Sequence, residues 1–283
     1  MHEQKNNAGI IPEISGLQLS IITVTRNDVA RLEKTIQSLR PIYGDPRFEH
    51  IVIDALSTDR TRALVEGIGA FENMVFISER DNGIYDGMNK GVRRARGRYL
   101  LFLNAGDCLN VCPDALAQFL FSLGTDVEAQ ILCFPVRIQF SDYSIRLEPQ
   151  TKVGHKMPTT HQGMLFSADF IKAVEYDTRY RIAADYNLVL KANGRLIENA
   201  QFEEVLTLLE ADGAASAHPL LSYGEYVRAI SENRGGFQRI FMLIRVLSRG
   251  LVVAAFKKAA VGVPHPGTGC KIIMLAKVKC FIA

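Results

Sequence analysis

Thirty residues, Ser78 to Asp107, constrain this chain more than any other stretch: SERDNGIYDGMNKGVRRARGRYLLFLNAGD. Residues 83–95 have helical character and carry Lys90, Arg93 and Arg94, with Arg96 and Arg98 just beyond. Residues 98–103 are a short apolar run of β-formers, which predicts a buried strand of a parallel sheet. Asn104-Ala105-Gly106-Asp107 follows at once. That puts a carboxylate at the carboxyl end of a strand, where open α/β sheets bind their ligands. The helix before it, with free amides at its start and cations along it, suits an anionic group such as a diphosphate.

The preceding sequence has the same rhythm. Leu17–Val24 reads as a strand, Thr25–Asp28 as a polar turn, and Asp28 as the cap of a helix over 29–39. Phe48–Asp54 is a second strand ending on a carboxylate. Ser57, Thr58 and Asp59 suit a turn and cap before a helix over 61–68, and Met74–Ser78 is a third strand. This alternation predicts an α/β fold with a Rossmann-like, mostly parallel central sheet flanked by helices. No glycine fingerprint follows the first strand. Gly67-Ile68-Gly69 follows a helix and lacks the third glycine, which sets nicotinamide dinucleotides aside.

Composition bears on partners and compartment. A chain of 283 residues, 48% apolar and 22% charged, can bury one sizeable core with a small appendage. Its net charge of +3 hides an asymmetry: residues 236–283 hold eight Lys/Arg and no Asp/Glu, so that segment is +8 and the body before it −5. A basic end on an acidic body points to an anionic surface as its partner. Five cysteines (Cys108, Cys112, Cys133, Cys270 and Cys280) form no paired framework and no zinc spacing, which fits idle thiols in a reducing compartment. The polar start lacks the apolar core of a secretory leader, and no apolar run is long enough to span a bilayer. A cytoplasmic location is expected, at the inner membrane if the basic end binds there.

SIITVTRN, VIDALSTDRT, the Ser78–Asp107 stretch, HQGMLFSADF and RYRIAADYNLVLKA, in that order over roughly 17–210, resemble the family 2 glycosyltransferases of GT-A fold. The nearest pattern is that of bacterial exopolysaccharide, O-antigen and colanic-acid assembly enzymes. The resemblance implies an inverting hexosyl- or N-acetylhexosaminyl-transferase. It would use a nucleotide-sugar donor, expected to be a UDP-sugar, and a glycan or lipid-linked acceptor. Residues 17–215 would form the glycosyltransferase domain, with 1–16 an N-terminal and 216–283 a C-terminal helical extension.

Residue by residue, Thr25, Asn27 and Asp54 would line the nucleotide pocket; Asp54 reads equally well as a strand-end cap. Arg80, Asp81 and Asp86 match positions that approach the nucleotide-sugar. Lys90 and Arg93 either touch phosphate or form a solvated helix face. In the family a DxD-type motif binds Mn²⁺ or Mg²⁺. Here its usual Asp positions fall on Asn104 and Gly106, which leaves Asp107 as the metal carboxylate, or else as a cap for a helix starting near 109. His161 is expected beside the donor. Asp185, at the start of a helix whose amides hold it ionised, is the expected general base.

Two other classes stay open, a non-catalytic sugar-nucleotide-binding protein and a nucleotidyltransferase. The second usually needs a glycine- and lysine-rich loop near the first strand, which is missing. Beyond residue 210, residues 211–219 read as a small-residue loop that closes over substrate. In residues 237–256, Ile240, Phe241, Ile244, Leu247 and Leu251 share one helical face, with Arg239, Arg245 and Arg249 interspersed. That helix lies on a membrane surface or docks on the core. The tail's aromatics suit packing better than base stacking, so nucleic acid is not an expected partner.

Overall fold

The structure, a computed structural model, describes residues 16–69, 71–124, 128–150, 157–192, 197–211 and 218–247. The expected alternation is present: β1 (Leu19–Thr25), α1 (Val29–Leu39), β2 (Phe48–Asp54), α2 (Thr61–Ile68), β3 (Met74–Ser78), α3 (Ile84–Arg94) and β4 (Tyr99–Phe102). Then come β5 (Cys108–Leu109), α4 (Pro113–Ser122), β6 (Ile131–Cys133), β7 (Val136–Gln139) and β8 (Ser144–Leu147). A 3₁₀ turn, His161–Gly163, leads into β9 (Met164–Ser167), α5 (Ala168–Val174), α6 (Ala184–Lys191), β10 (Ile197–Asn199), β11 (Thr207–Glu210) and α7 (Pro219–Asn233). Among the described residues a further helix, α8, covers 236–247. The N-terminal extension up to residue 15, residues 212–217 of the substrate loop, Leu251, Arg249, Cys270 and Cys280 lie outside the described residues.

The main sheet has the order β10-β6-β9-β4-β1-β2-β3. Its pairs are parallel except for β9, which runs antiparallel to both β4 and β6. From β1 the chain builds outward to β2 and β3, then returns to lay β4 on the other side of β1. That reversal makes a crevice beyond the carboxyl ends of β1 and β4. A smaller sheet, β5-β11-β7-β8, completes the strands.

Why these strands sit centrally follows from their alternation. All seven residues of β1 and all seven of β2 are buried. Ile22, Val24, Ile51, Ile53, Leu100 and Phe102 face a core that also takes Met88 and Val92 of α3, Tyr186, Leu188 and Val189 of α6, and Ala229 and Ile230 of α7. The alternate residues Leu19, Ile21, Tyr99, Leu101 and Leu103 face Leu116, Ala117 and Leu120 of α4. Helix α7 thus belongs to the packing of the main body.

Two sequence-based expectations change. The helix expected from residue 109 begins at Pro113, which supplies the fixed φ that favours a first helical position; Asp107 therefore caps no helix. Asp28 precedes α1 but makes no side-chain cap bond. Asp59 Oδ2 instead accepts from Val29 N at 3.0 Å, so the turn after β2 caps the helix after β1.

His50, fully buried in β2, dates the fold's response to acid. Thr23 Oγ1 donates to Leu103 O at 2.8 Å, which leaves it to accept from His50 Nε2 at 3.0 Å, while Tyr43 OH donates to Nδ1 at 3.0 Å. Burial pushes the imidazole pKa from 6.5 down to about 3. The unfolded chain therefore binds a proton that the folded chain refuses, and stability is lost as pH falls through that window. We expect urea midpoints to drop between pH 6.5 and 4, and His50→Gln to flatten that slope; a parallel slope in the variant would assign the acid sensitivity elsewhere.

Candidate active site

The two turns at the carboxyl ends of β1 and β2 are tied together. Asn27 takes a left-handed φ of 50°, tolerable for Asn, and its Oδ1 accepts from Thr58 N at 2.7 Å. Ser57 Oγ accepts from Asn27 N at 2.7 Å. Leu56 is also left-handed (φ 54°) and half exposed, a strained placement of the kind that collects at functional sites. Asp54 is buried, and both its oxygens accept from Ser57 N; Ser57 Oγ and Ser78 Oγ donate to it as well, the latter at 2.6 Å. Its carboxylate is thus satisfied by the protein, and it shapes the Ser57–Thr58 turn. Thr25, its register partner on β1, keeps a buried Oγ1 with no hydrogen-bond partner among the described residues.

The cations of α3 are mostly engaged. Lys90 Nζ donates to Arg80 O and lies 3.2 Å from Glu79 and 3.9 Å from Asp86. Arg93 grips Glu175 through two bonds of 2.8 and 2.7 Å, and Arg96 pairs with the buried Glu49 at 2.9 Å. The expected basic seat for phosphate is therefore largely spent on internal pairs. Asp81 and Asp86 accept from Gly83 N and Asn82 N and brace the start of α3. Arg80, at the carboxyl end of β3, has an exposed side chain with no ion pair among the described residues.

Helix α1 fixes the Asn104–Asp107 turn. Gly106 N donates to Arg31 O at 3.0 Å and to Thr35 Oγ1 at 2.9 Å, and Thr35 Oγ1 lies 2.8 Å from Asp107 O. Gly106 has a φ of 101°, and a Cβ there would run into the Arg31 guanidinium. A second aspartate at 106 would be strained on this backbone and would have to displace the Arg31 side chain. Asp107 is 5% exposed, and Gln162 Nε2 donates to its Oδ2 at 2.9 Å. Burial raises its pKa above the ordinary carboxylate value, against the opposing pull of Gln162, His161 and Arg31.

The 3₁₀ turn joins this carboxylate to the expected base. Asn104 Nδ2 stands 3.0 Å from His161 Nε2, and His161 Nδ1 lies 3.5 Å from Asp185 Oδ2. With Asn104 donating to Nε2, the proton of a neutral ring sits on Nδ1 and faces Asp185. Asp185 is the second residue of α6, and its Oδ1 accepts from the backbone N–H of Tyr186 at 2.7 Å. Asp107 and Asp185 thus approach one turn, through Gln162 and His161. Asp54 stands at the end of β2, two strand spacings from β4 with β1 between, or roughly 10 Å.

Sequence reasoning overlooked Glu225. Its buried carboxylate, on α7, accepts from Arg181 N, Ile182 N and Ala183 N, each at 2.8 Å. It pins the turn that delivers Asp185, and Tyr85 OH donates to Ile182 O at 2.5 Å from the other side. No local pattern marks a glutamate whose partners lie over 40 residues away. Gln162 was visible only as the neighbour of His161.

The donor set for a metal is small. Among the described residues, no three His, Cys, Asp or Glu side chains cluster to hold an ion. Asp107 offers carboxylate oxygens, and Asn104 Oδ1 is buried without a hydrogen-bond partner. An oxygen-only pair of this kind fits a hard divalent cation that completes its shell from phosphate and water.

The sequence profile described as "Glycosyl transferase family 2" matches residues 20–174, over half of the chain. The chain belongs to this family. An uncharacterised glycosyltransferase of Mycobacterium tuberculosis is 32% identical over 180 residues, 62% of this chain and 68% of its own. A PGL/p-HBAD biosynthesis glycosyltransferase of Mycobacterium bovis is 26% identical over 249 residues, covering 83% of this chain and 94% of its own. Among solved structures, Staphylococcus aureus TarS 1–349 in complex with UDP-GlcNAc superposes with a TM-score of 0.62 at 15% identity, covering 92% of this chain and 79% of that one. The mannosyltransferase PcManGT of Pyrobaculum calidifontis, in complex with GDP-Man and Mn²⁺, gives 0.60 at 14% identity, covering 95% and 85%. The fold is GT-A, and this family 2 member is a glycosyltransferase enzyme.

Proposed function

We propose that this glycosyltransferase moves a hexosyl or N-acetylhexosaminyl group from a UDP-sugar to a hydroxyl of a glycan or lipid-linked acceptor, with inversion, in the assembly of a bacterial surface polysaccharide. The observation that carries the reading is the meeting of Asp107 and Asp185 at the His161–Gln162 turn. The relative named for PGL/p-HBAD biosynthesis supports a part in bacterial glycan assembly. The UDP-GlcNAc complex of TarS supports the donor class.

In this reading Asp185 removes the acceptor hydroxyl proton. The oxygen then attacks the anomeric carbon from the face opposite the nucleotide, forming one C–O bond as the bond to the diphosphate breaks. His161 orients Asp185, and Arg80 faces the departing diphosphate. Asp107 and Asn104 are the residues that would hold Mn²⁺ or Mg²⁺, which offsets negative charge on the leaving group. Thr25, Asn27 and Asp54 form the nucleotide end. The catalytic domain, expected over 17–215, extends through α7, which packs in its core and braces the acceptor side.

The test is a thermal-shift panel of UDP-, GDP- and TDP-sugars with and without Mn²⁺, followed by NMR of the anomeric configuration of the transferred sugar. A UDP-sugar should stabilise the enzyme most, and an α-linked donor should give a β-linked product. Retention of configuration, or stabilisation by GDP- or TDP-sugars alone, would reject the corresponding part.

Glu225 offers a separate check. In Glu225→Gln the amide NH₂ must face at least one backbone N–H that the carboxylate now accepts, loosening the turn before Asp185. We expect kcat to fall roughly 10- to 100-fold with donor KM within about threefold, since displacement of a base by about 1 Å acts on the chemical step. A loss confined to KM would place Glu225 elsewhere in the cycle.

A further inference from the structure

We propose that α8 is an interfacial helix that docks this enzyme on an anionic lipid bilayer. The helix is apolar on two sides. Met242 and Val246 are buried in the main core at 6% and 3% exposure. On the outside, Phe237, Ile240, Phe241, Ile244 and Leu247 are 82%, 57%, 48%, 61% and 58% exposed. Their spacing, i, i+3, i+4, i+7 and i+10, lines them along one face. Five contiguous large apolar side chains exceed the scattered exposure of an ordinary surface and mark an interaction site.

Charge selects the occupant. Arg239 and Arg245 lie on the same helix, and the Arg245 guanidinium stands 4.9 Å over the Phe241 ring. Residues 236–283 carry eight cations and no acid, while the body is acidic. Two copies meeting through this face would set Arg239 and Arg245 of one against those of the other. An anionic bilayer instead accepts the apolar side chains and attracts the cations, whose stems reach the headgroups from the helix flanks. The acidic body, repelled by the same surface, leaves this face as the one that approaches.

The position of α8 gives docking a consequence. Arg234, at the break before α8, donates to Leu190 O of α6 at 2.8 Å, and Asn233 Nδ2 donates to Asn187 Oδ1 of α6 at 2.8 Å. The docked helix is therefore bolted to the helix that carries Asp185. A lipid-linked acceptor would meet the base at a fixed height above the bilayer. This last step rests on the proposed transfer reaction; docking itself does not.

The test is flotation of the full chain with phosphatidylcholine vesicles, with and without about 30% phosphatidylglycerol, in the absence of donor and acceptor. Binding should need the anionic lipid, weaken as salt rises, and fall at least tenfold in Ile240→Glu/Ile244→Glu. Both positions are exposed, so the variant should keep the wild-type Tm and, on a soluble acceptor, the wild-type turnover. No flotation, equal binding to neutral vesicles, or unchanged binding by the variant would overturn the proposal. So would a dimer in light scattering that the variant dissolves without any vesicle binding. Because no sugar is present, failure here leaves the transfer reaction standing.

Discussion

Asp185→Asn should reduce kcat for sugar transfer by roughly 10³-fold while donor KM stays within about threefold. The substitution is nearly isosteric. Asn Oδ1 can accept from Tyr186 N as the carboxylate does, so α6 keeps its first turn. What disappears is the group proposed to take the acceptor proton, and with it the transition-state interaction alone. The thermal-shift response to UDP-sugar should remain, which separates a lost base from a lost fold. A variant holding a tenth or more of wild-type kcat would remove Asp185 from the chemistry. His161→Ala should fall between wild type and Asp185→Asn, because it leaves the carboxylate but removes the ring 3.5 Å away that is proposed to orient it.

Much of this was legible in the sequence because parallel strands buried on both faces are written as short runs rich in apolar β-formers, interrupted in β1 and β2 by a few polar residues. β1, β2 and β4 were visible for that reason, and their carboxyl ends placed Thr25, Asp54 and the Asn104–Asp107 turn at the crevice. What a linear reading lacks is knowledge of which charges meet. The cations of α3 formed a visible run, yet Glu175 and Glu49, which engage Arg93 and Arg96, lie 82 and 47 residues away. Asp28 had the right residue type for a cap, but Asp59 reached the same amide from the neighbouring turn. Glu225 sits on a helix whose pattern says only that it packs. In α8 the stripe through Ile240 and Ile244 was legible. That Met242 and Val246 on the opposite side were the buried pair was not, since the period of a helix gives the faces and not their neighbours.

Asp107→Asn should trade binding for stability. Burial holds the Asp107 pKa above its unfolded value, so the folded state favours the protonated acid. The stability linked to that proton is fully present below the unfolded pKa and is lost as pH rises through the folded one. At pH 7 the wild-type chain therefore carries a desolvated charge that Asn lacks, while Asn Oδ1 can still accept from Gln162 Nε2. We expect the variant's Tm to exceed that of wild type at pH 7, with the gap closing as pH falls. The same variant should lose the carboxylate proposed to hold the divalent ion. Mn²⁺ binding in the presence of UDP, read by electron paramagnetic resonance, should weaken about tenfold or more. If Tm rises and Mn²⁺ affinity does not change, Asp107 is a buried acid kept for another purpose and the metal lies elsewhere. If Tm falls instead, the carboxylate is a structural anchor and the trade between stability and function is not made at this residue.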